Sequence, residues 1–397
     1  MARGRRRLVA AARGPRRLLA AARRRKRLVA ALAVGLLLAL VAVVYQAERT
    51  GTGTRPNDAG SCPEAALVCP GGEPPADEAT PGPSTSSAEP SATESPSPSP
   101  TTSPSSTTPP PSGSAPPSQG GPGCTSSSPG ACGFPDARST GPRIALQRHD
   151  TENMSVKTDG MVIKGWDIHG SLDVYANDVT VIDSRITSAN WWGINLRPGF
   201  KGLRVLHTTI TAVPGKGPDN GGVDYAVSNM SESSVEVGWC DVSVFGNALS
   251  MGQGDLHDNY VHDIAAFRNQ GGEWQHTDAV ISGGGNKGRL TVRHNTLLNA
   301  VPVDRGASAA LGLFADTGVV SNVVVDRNWL AGGAYALYGG GPGATGIQVT
   351  DNVFSTQYHP NSGTYGPVAA WNAGDAGNVW RGNRMSDGRP VVPEPAP

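Results

Sequence analysis

His276 and Asp278 stand two residues apart in the stretch EWQHTDAVISGGGNKGRLTVRHNTL, residues 273–297. On a strand that spacing puts both side chains on one face. His276 can then serve as base or acid, with Asp278 orienting it or binding a cation. Arg268 and Arg305 flank the pair and can each hold a carboxylate bidentately. Asp224 and Asn247 recur at comparable places in the chain, and Glu273 sits just before the histidine. Asp224 and Asp278 could share calcium, the one candidate cofactor, although spacing fixes no metal ligand set. Trp191, Trp192 and Trp274 offer flat faces on which sugar rings stack. Each residue also has a plainer reading. The His–Asp pair can be a polar strand start, the arginines surface charge and the tryptophans packing beneath loops.

The elements that must position these residues are short strands. From about residue 160 the chain repeats an apolar-x-apolar-x-x-Asn-x-apolar phrase. The clearest copies are LTVRHNTL (290–297), VVVDRNWL (323–330) and IQVTDNVF (347–354). The sixth position reads Trp166, Ser184, Thr208, Cys240, Asn259, Asn295, Asn328, Asn352 and Asn383. Alternation over four or five residues means strand rather than helix. A second apolar burst, such as WGINL, DYAVS, DAVIS or YALYG, lies between copies, so each repeat holds at least two strands. Repeat lengths vary from 18 to 36 residues, which fits coils whose insertions leave as loops. The expected fold is all-β, a right-handed parallel β-helix of about nine coils. At about 4.8 Å per coil these make a rod roughly 40 Å long. The recurrent asparagines are expected to bond their own coil and the asparagine of the next.

These phrases, with the His-x-Asp-apolar stretch at 273–297, resemble the right-handed parallel β-helix, pectin-lyase-like superfamily over about residues 145–387. The Ala-, Arg- and Gly-rich composition also resembles actinobacterial surface proteins. The resemblance implies a polysaccharide or cell-wall glycan as partner. It also implies cleavage by elimination or by hydrolysis between two carboxyls, with Asp224 and Asp278 as one candidate pair. The alternative is a carbohydrate-binding or adhesive surface protein without activity. An enzyme should gather His276, Asp278 and one of Arg268, Glu273 or Arg305 in one cleft, whereas a binder should show exposed aromatics along a groove. The chain departs from the named activities of the superfamily. It lacks the calcium-site Asp pair with downstream arginines of pectate lyases, the Asn-Thr-Asp series of polygalacturonases and the Asp-Pro-His triplet of mannuronan epimerases.

Residues 28–45, LVAALAVGLLLALVAVVY, carry no charge and are just long enough to cross a bilayer as a helix. Arg23, Arg24, Arg25, Lys26 and Arg27 precede them, so the N-terminus is expected in the cytoplasm and the rest of this single-pass chain outside the cell membrane. A cleaved secretory signal is the rival reading and leaves the rest equally extracellular. The expected parts are a basic tail (1–27), a transmembrane helix (28–45), a disordered Pro/Ser/Thr-rich linker (46–143), the coiled domain (144–390) and a short tail (391–397). Of 33 Lys and Arg against 33 Asp and Glu, the basic excess sits in the head. The acidic remainder argues against nucleic acid as a partner. Cys62 with Cys69 and Cys124 with Cys132 suit two local disulfides, one of three connectivities, and Cys240 reads as a buried thiol.

Overall fold

The computed structural model describes residues 126–394. The basic head, segment 28–45, most of the Pro/Ser/Thr-rich stretch, Cys62, Cys69, Cys124 and residues 395–397 lie outside the described residues. Among those described, no helix is long and apolar enough to cross a membrane.

The described chain is all-β, with parallel strands stacked coil on coil in a manner consistent with a parallel β-helix. Each coil contributes three strands, in keeping with the expectation of at least two. A first column of nine strands runs from Val162–Lys164 to Val379–Arg381 in strict sequence order. A second and a third column form the other, 17-stranded sheet, joined at one end by the long strand Trp166–Val174. Gln147–Val156 pairs with that strand and closes the N-terminal end.

The alternating phrase explains the core. Ile163, Val181, Val205, Val237, Leu256, Val292, Val325 and Val349 stack in register down the first column, all fully buried. Ile186, Ile210, Val242, Val261, Leu297, Leu330 and Phe354 do the same in the second. Leu172, Ile194, Val227, Leu249, Val280, Leu311 and Leu337 do so in the third. Each such side chain contributes about 1.5–3 kcal/mol by leaving water, so the stack is one continuous core.

The turn between the first and second columns is fixed by backbone chemistry. One residue per turn takes a left-handed conformation: Gly165, Asp183, His207, Trp239, Asp258, His294, Arg327, Asp351 and Gly382. For non-glycine residues that costs about 1–2 kcal/mol. The next residue offsets it with a ladder. Asn259 Oδ1 accepts from the Cys240 N–H at 3.0 Å, and Asn295 Oδ1 accepts from the Asn259 backbone N–H at 3.0 Å and its Nδ2 at 2.9 Å. The pattern continues through Asn328, Asn352 and Asn383. Ser184, Thr208 and Cys240 fill the earlier rungs with shorter side chains. Cys240 is a free buried thiol, and burial pushes its pKa up to about 12.

Residues 126–143, on the linker side of the expected boundary, lie against the coils. The short 3-10 helix Gly130–Cys132 leads to Phe134, which packs on Trp329 at 5.4 Å and on His294 at 5.8 Å. Thr296 Oγ1 donates to Pro135 O, Gly141 N–H donates to Trp239 O, and Arg143 pairs with Asp183 at 2.8 Å. This strap covers Leu298, Trp329, Ala331 and Val353 on the outer side of the second column. Cys132 within it is disulfide-bonded.

Candidate functional site

Of the predicted residues, the third column carries Trp192, Asn247 and Asp278. Its register skips one residue in coil after coil, so that Trp192, Tyr225, Asn247, Asp278, Ala309 and Tyr335 stack as neighbours. The skipped residues are Gly193, Ala226, Ala248, Ala279, Ala310 and Ala336, all buried. They must be small, because a Cβ on Gly193 would come within 2.7 Å of Ile210. Asn247 and Asp278 are therefore true neighbours, about 4.8 Å apart along the axis. Asp224 is not in their row. It precedes the in-row Tyr225 by one residue, at the end of the long loop 213–224.

Asp278 lies in the floor of a cavity of about 410 Å³ that His276, Ser308, Phe314, Asp316 and Tyr338 help to line. It is fully buried and neither carboxyl oxygen has a well-formed hydrogen bond. Burial raises its pKa well above the carboxylate range. The Ala309 N–H offsets part of this, and the charge of Asp316 adds to it. An unpartnered charge in such a place costs several kcal/mol, which favours the protonated form. His276 is exposed at the same cavity, so the structure brings this pair together.

Arg268, Glu273 and Arg305 do not line that cavity. Loops 213–224 and 263–276 meet over the short turn 244–246, where Asn220 Nδ2 donates to Asn269 O at 2.6 Å. They enclose a separate, mostly apolar cavity of about 600 Å³. Arg268 lies there, 4.6 Å over the Trp274 ring, with its guanidinium donating to Gly272 O. Glu273 is exposed on loop 263–276, and Arg305 is exposed at the end of the short helix Val303–Arg305. Asp224 is buried under Phe267, which also sits where a Cβ of Gly222 or Gly246 would be. Burial, then the charge of Asp219, pushes the Asp224 carboxyl up to about 7. Asn247 is buried with its Oδ1 unpartnered. Trp192 is half-buried with Arg197 5.6 Å from its ring, and Trp191 is half-buried before it.

An aromatic row that the sequence reading did not single out adjoins the Asp278 cavity. Phe314 packs 5.0 Å from Tyr338, Tyr338 lies 5.5 Å from Tyr335, and Tyr335 lies 5.9 Å from Tyr365. Tyr365 is 65% exposed. The Phe314 ring lies on Gly312, where a Cβ would come within 2.1 Å of it. Burial first, then Tyr335, Asp278 and Tyr365, raises the Tyr338 hydroxyl pKa.

The strap edge holds acids of another kind. Asp258 accepts from His257 Nδ1 at 2.9 Å and from His294 Nδ1 at 2.6 Å, while His257 Nε2 faces Glu236 and His294 Nε2 donates to Gly133 O. Burial opposes ionisation of Asp258, but the two histidines outweigh it and hold its pKa well below the usual range. His262 is likewise held between Asp241 and Asp263. Both of its nitrogens are taken, so the Ser243 beside it has no base. Among the described residues, no group of three His, Cys, Asp or Glu side chains is placed to hold a metal ion.

No protein family, no curated protein and no solved structure matches the chain.

Proposed function

We propose that the chain is a membrane-anchored, extracellular protein of the right-handed, pectin-lyase-like kind. Its β-helix binds a polysaccharide on the outer face of the third column. The observation that carries this is the row Phe314, Tyr338, Tyr335 and Tyr365 beside the Asp278 cavity. Aromatic faces stack on sugar rings, and a row of them tracks a chain of rings. An aromatic row whose outermost member, Tyr365, is exposed, with no arginine or glutamate beside the His–Asp pair, suits a binder. The outside location rests on the uncharged segment 28–45 and the five basic residues before it. Retention of the full-length chain on a panel of immobilised polysaccharides tests the binding. Failure on every member would remove it.

Hydrolysis is the second reading, and Asp278 favours it. A buried, protonated carboxyl is suited to general acid work, and Asp224, two coils away, would be the other carboxyl. Elimination has less support. It needs a cation to neutralise a uronate, and among the described residues no lysine or arginine lines the cavity. The check is release of reducing ends from the polysaccharide that binds. Turnover that survives Asp278→Asn would exclude this carboxyl as the acid.

A further inference from the structure

The Asp278 cavity combines three features that rarely coincide. Its floor holds a carboxyl that is fully buried, with both oxygens unpartnered. Its rim holds a second, exposed carboxyl, Asp316. Its walls include the faces of Phe314 and Tyr338, with Tyr335 and Tyr365 beyond. Among the described residues no lysine or arginine lines it.

Each feature selects the same ligand group. Asp316 is an exposed acid that repels an anion and attracts a positively charged donor, and Asp278 is a buried carboxyl whose ionised form such a donor stabilises. Aromatic faces carry negative potential and attract organic cations as well. A uronate would bring a second negative charge beside Asp316, with no lysine or arginine among the described lining residues to offset it. An acetylated amine would offer one neutral N–H to a pair of acids. A free ammonium offers three charged donors. Its arrival also lets Asp278 ionise, because an opposite charge replaces the missing partner.

We infer that this cavity takes an organic ammonium, presented by a non-acetylated amino sugar of the bound polysaccharide. The inference rests on the polysaccharide reading and deepens it by naming the sugar class. Asp316 meets the amine first, being exposed. Asp278 has no open surface, so the amine reaches it as a half-buried wall ring, Phe314 or Tyr338, shifts aside. The cavity, about 410 Å³, is within the range of small-ligand sites.

The test compares three probes on the full-length chain by calorimetry: a glucosamine oligomer, its fully N-acetylated counterpart and choline. The glucosamine oligomer should bind about tenfold more tightly than the acetylated one. Asp278→Asn and Asp316→Asn should each bring that ratio close to one, with the melting midpoint retained as proof of folding. Equal affinities in the wild type, or a preference that survives both substitutions, would overturn the inference. Choline binding as tightly as the glucosamine oligomer would overturn the sugar as the source of the ammonium. If neither oligomer binds, nor any other glycan, the polysaccharide reading itself fails. A chain that binds acetylated and free oligomers alike keeps that reading and loses only this one.

Discussion

Asp258 and Asp278 are the same residue type on opposite sides of one stack of coils, and their surroundings are opposite. Asp258, under the strap, accepts from two histidines, and its carboxyl is held ionised. Asp278, beside the aromatic row, is more deeply buried, neither oxygen has a well-formed hydrogen bond, and burial pushes its pKa well up. Burial alone does not decide the state of a carboxyl; the donors within reach do. A fold that can place two histidines on one aspartate at the strap edge leaves the other aspartate unmatched. Under the function proposed above, that asymmetry assigns the strap edge to the scaffold and the third column to the ligand face.

The largest expected effect concerns Asp224, the other raised acid of the third-column side. Its folded pKa of about 7 lies above the unfolded value of about 3.9. The native state therefore keeps a proton that the unfolded chain loses, and stability falls as pH rises between those two values. Asp224→Asn should remove this limb and stabilise the protein at pH 7 by up to about 4 kcal/mol, with little change at pH 4. Melting curves of both proteins across pH 4–8 check it. Parallel curves would mean that Asp224 is partnered after all.

Asn295→Ala comes next, at about 3 kcal/mol of destabilisation in a denaturant titration. It strips a partner from the Asn259 N–H and from the Leu256 carbonyl, both deep in the ladder. A midpoint unchanged by this substitution would contradict the ladder as a source of stability.

Asp258→Asn should cost about 2 kcal/mol, a figure discounted for its partial exposure. Asp278→Asn should stay within about 1 kcal/mol of wild type or gain, because it removes no hydrogen bond. The two unfolding curves, measured side by side, sharpen the contrast. Equal losses would erase it.

The repeat made the scaffold legible, and the stacking of coils hid part of the candidate site. Asn259, Asn295, Asn328, Asn352 and Asn383 recur in one phrase, so their shared position could be read directly. The inward residues of each strand followed from the same alternation. The aromatic row could not be read this way. Tyr335 and Tyr338 lie in the strand Tyr335–Gly339, Phe314 follows Ala307–Leu313 and Tyr365 precedes Gly366–Ala369, and only the stacking of coils unites them. The strand that the alternation does not separate is the second of each coil, because the repeated phrase runs through the turn and holds both, as in Leu290–Arg293 and Thr296–Asn299. Arg268 and Arg305 are near His276 in sequence, yet the paths of loops 263–276 and 300–306 carry them elsewhere. His276 and Asp278 line one cavity, with Asp278 on the strand Thr277–Ser282 and His276 just before it.

The smallest structural perturbation gives the most direct test of the binding face. Tyr365 is 65% exposed on the outer side of the third column, and Arg327 is an exposed residue of the turn at the strap edge. Neither substitution to alanine should move the melting midpoint by much. For the polysaccharide that the full-length chain binds most tightly, Tyr365→Ala should raise Kd about fivefold and Arg327→Ala should leave it unchanged. Equal Kd values for wild type and Tyr365→Ala, or a loss confined to Arg327→Ala, would contradict the assignment of the aromatic row as the ligand face.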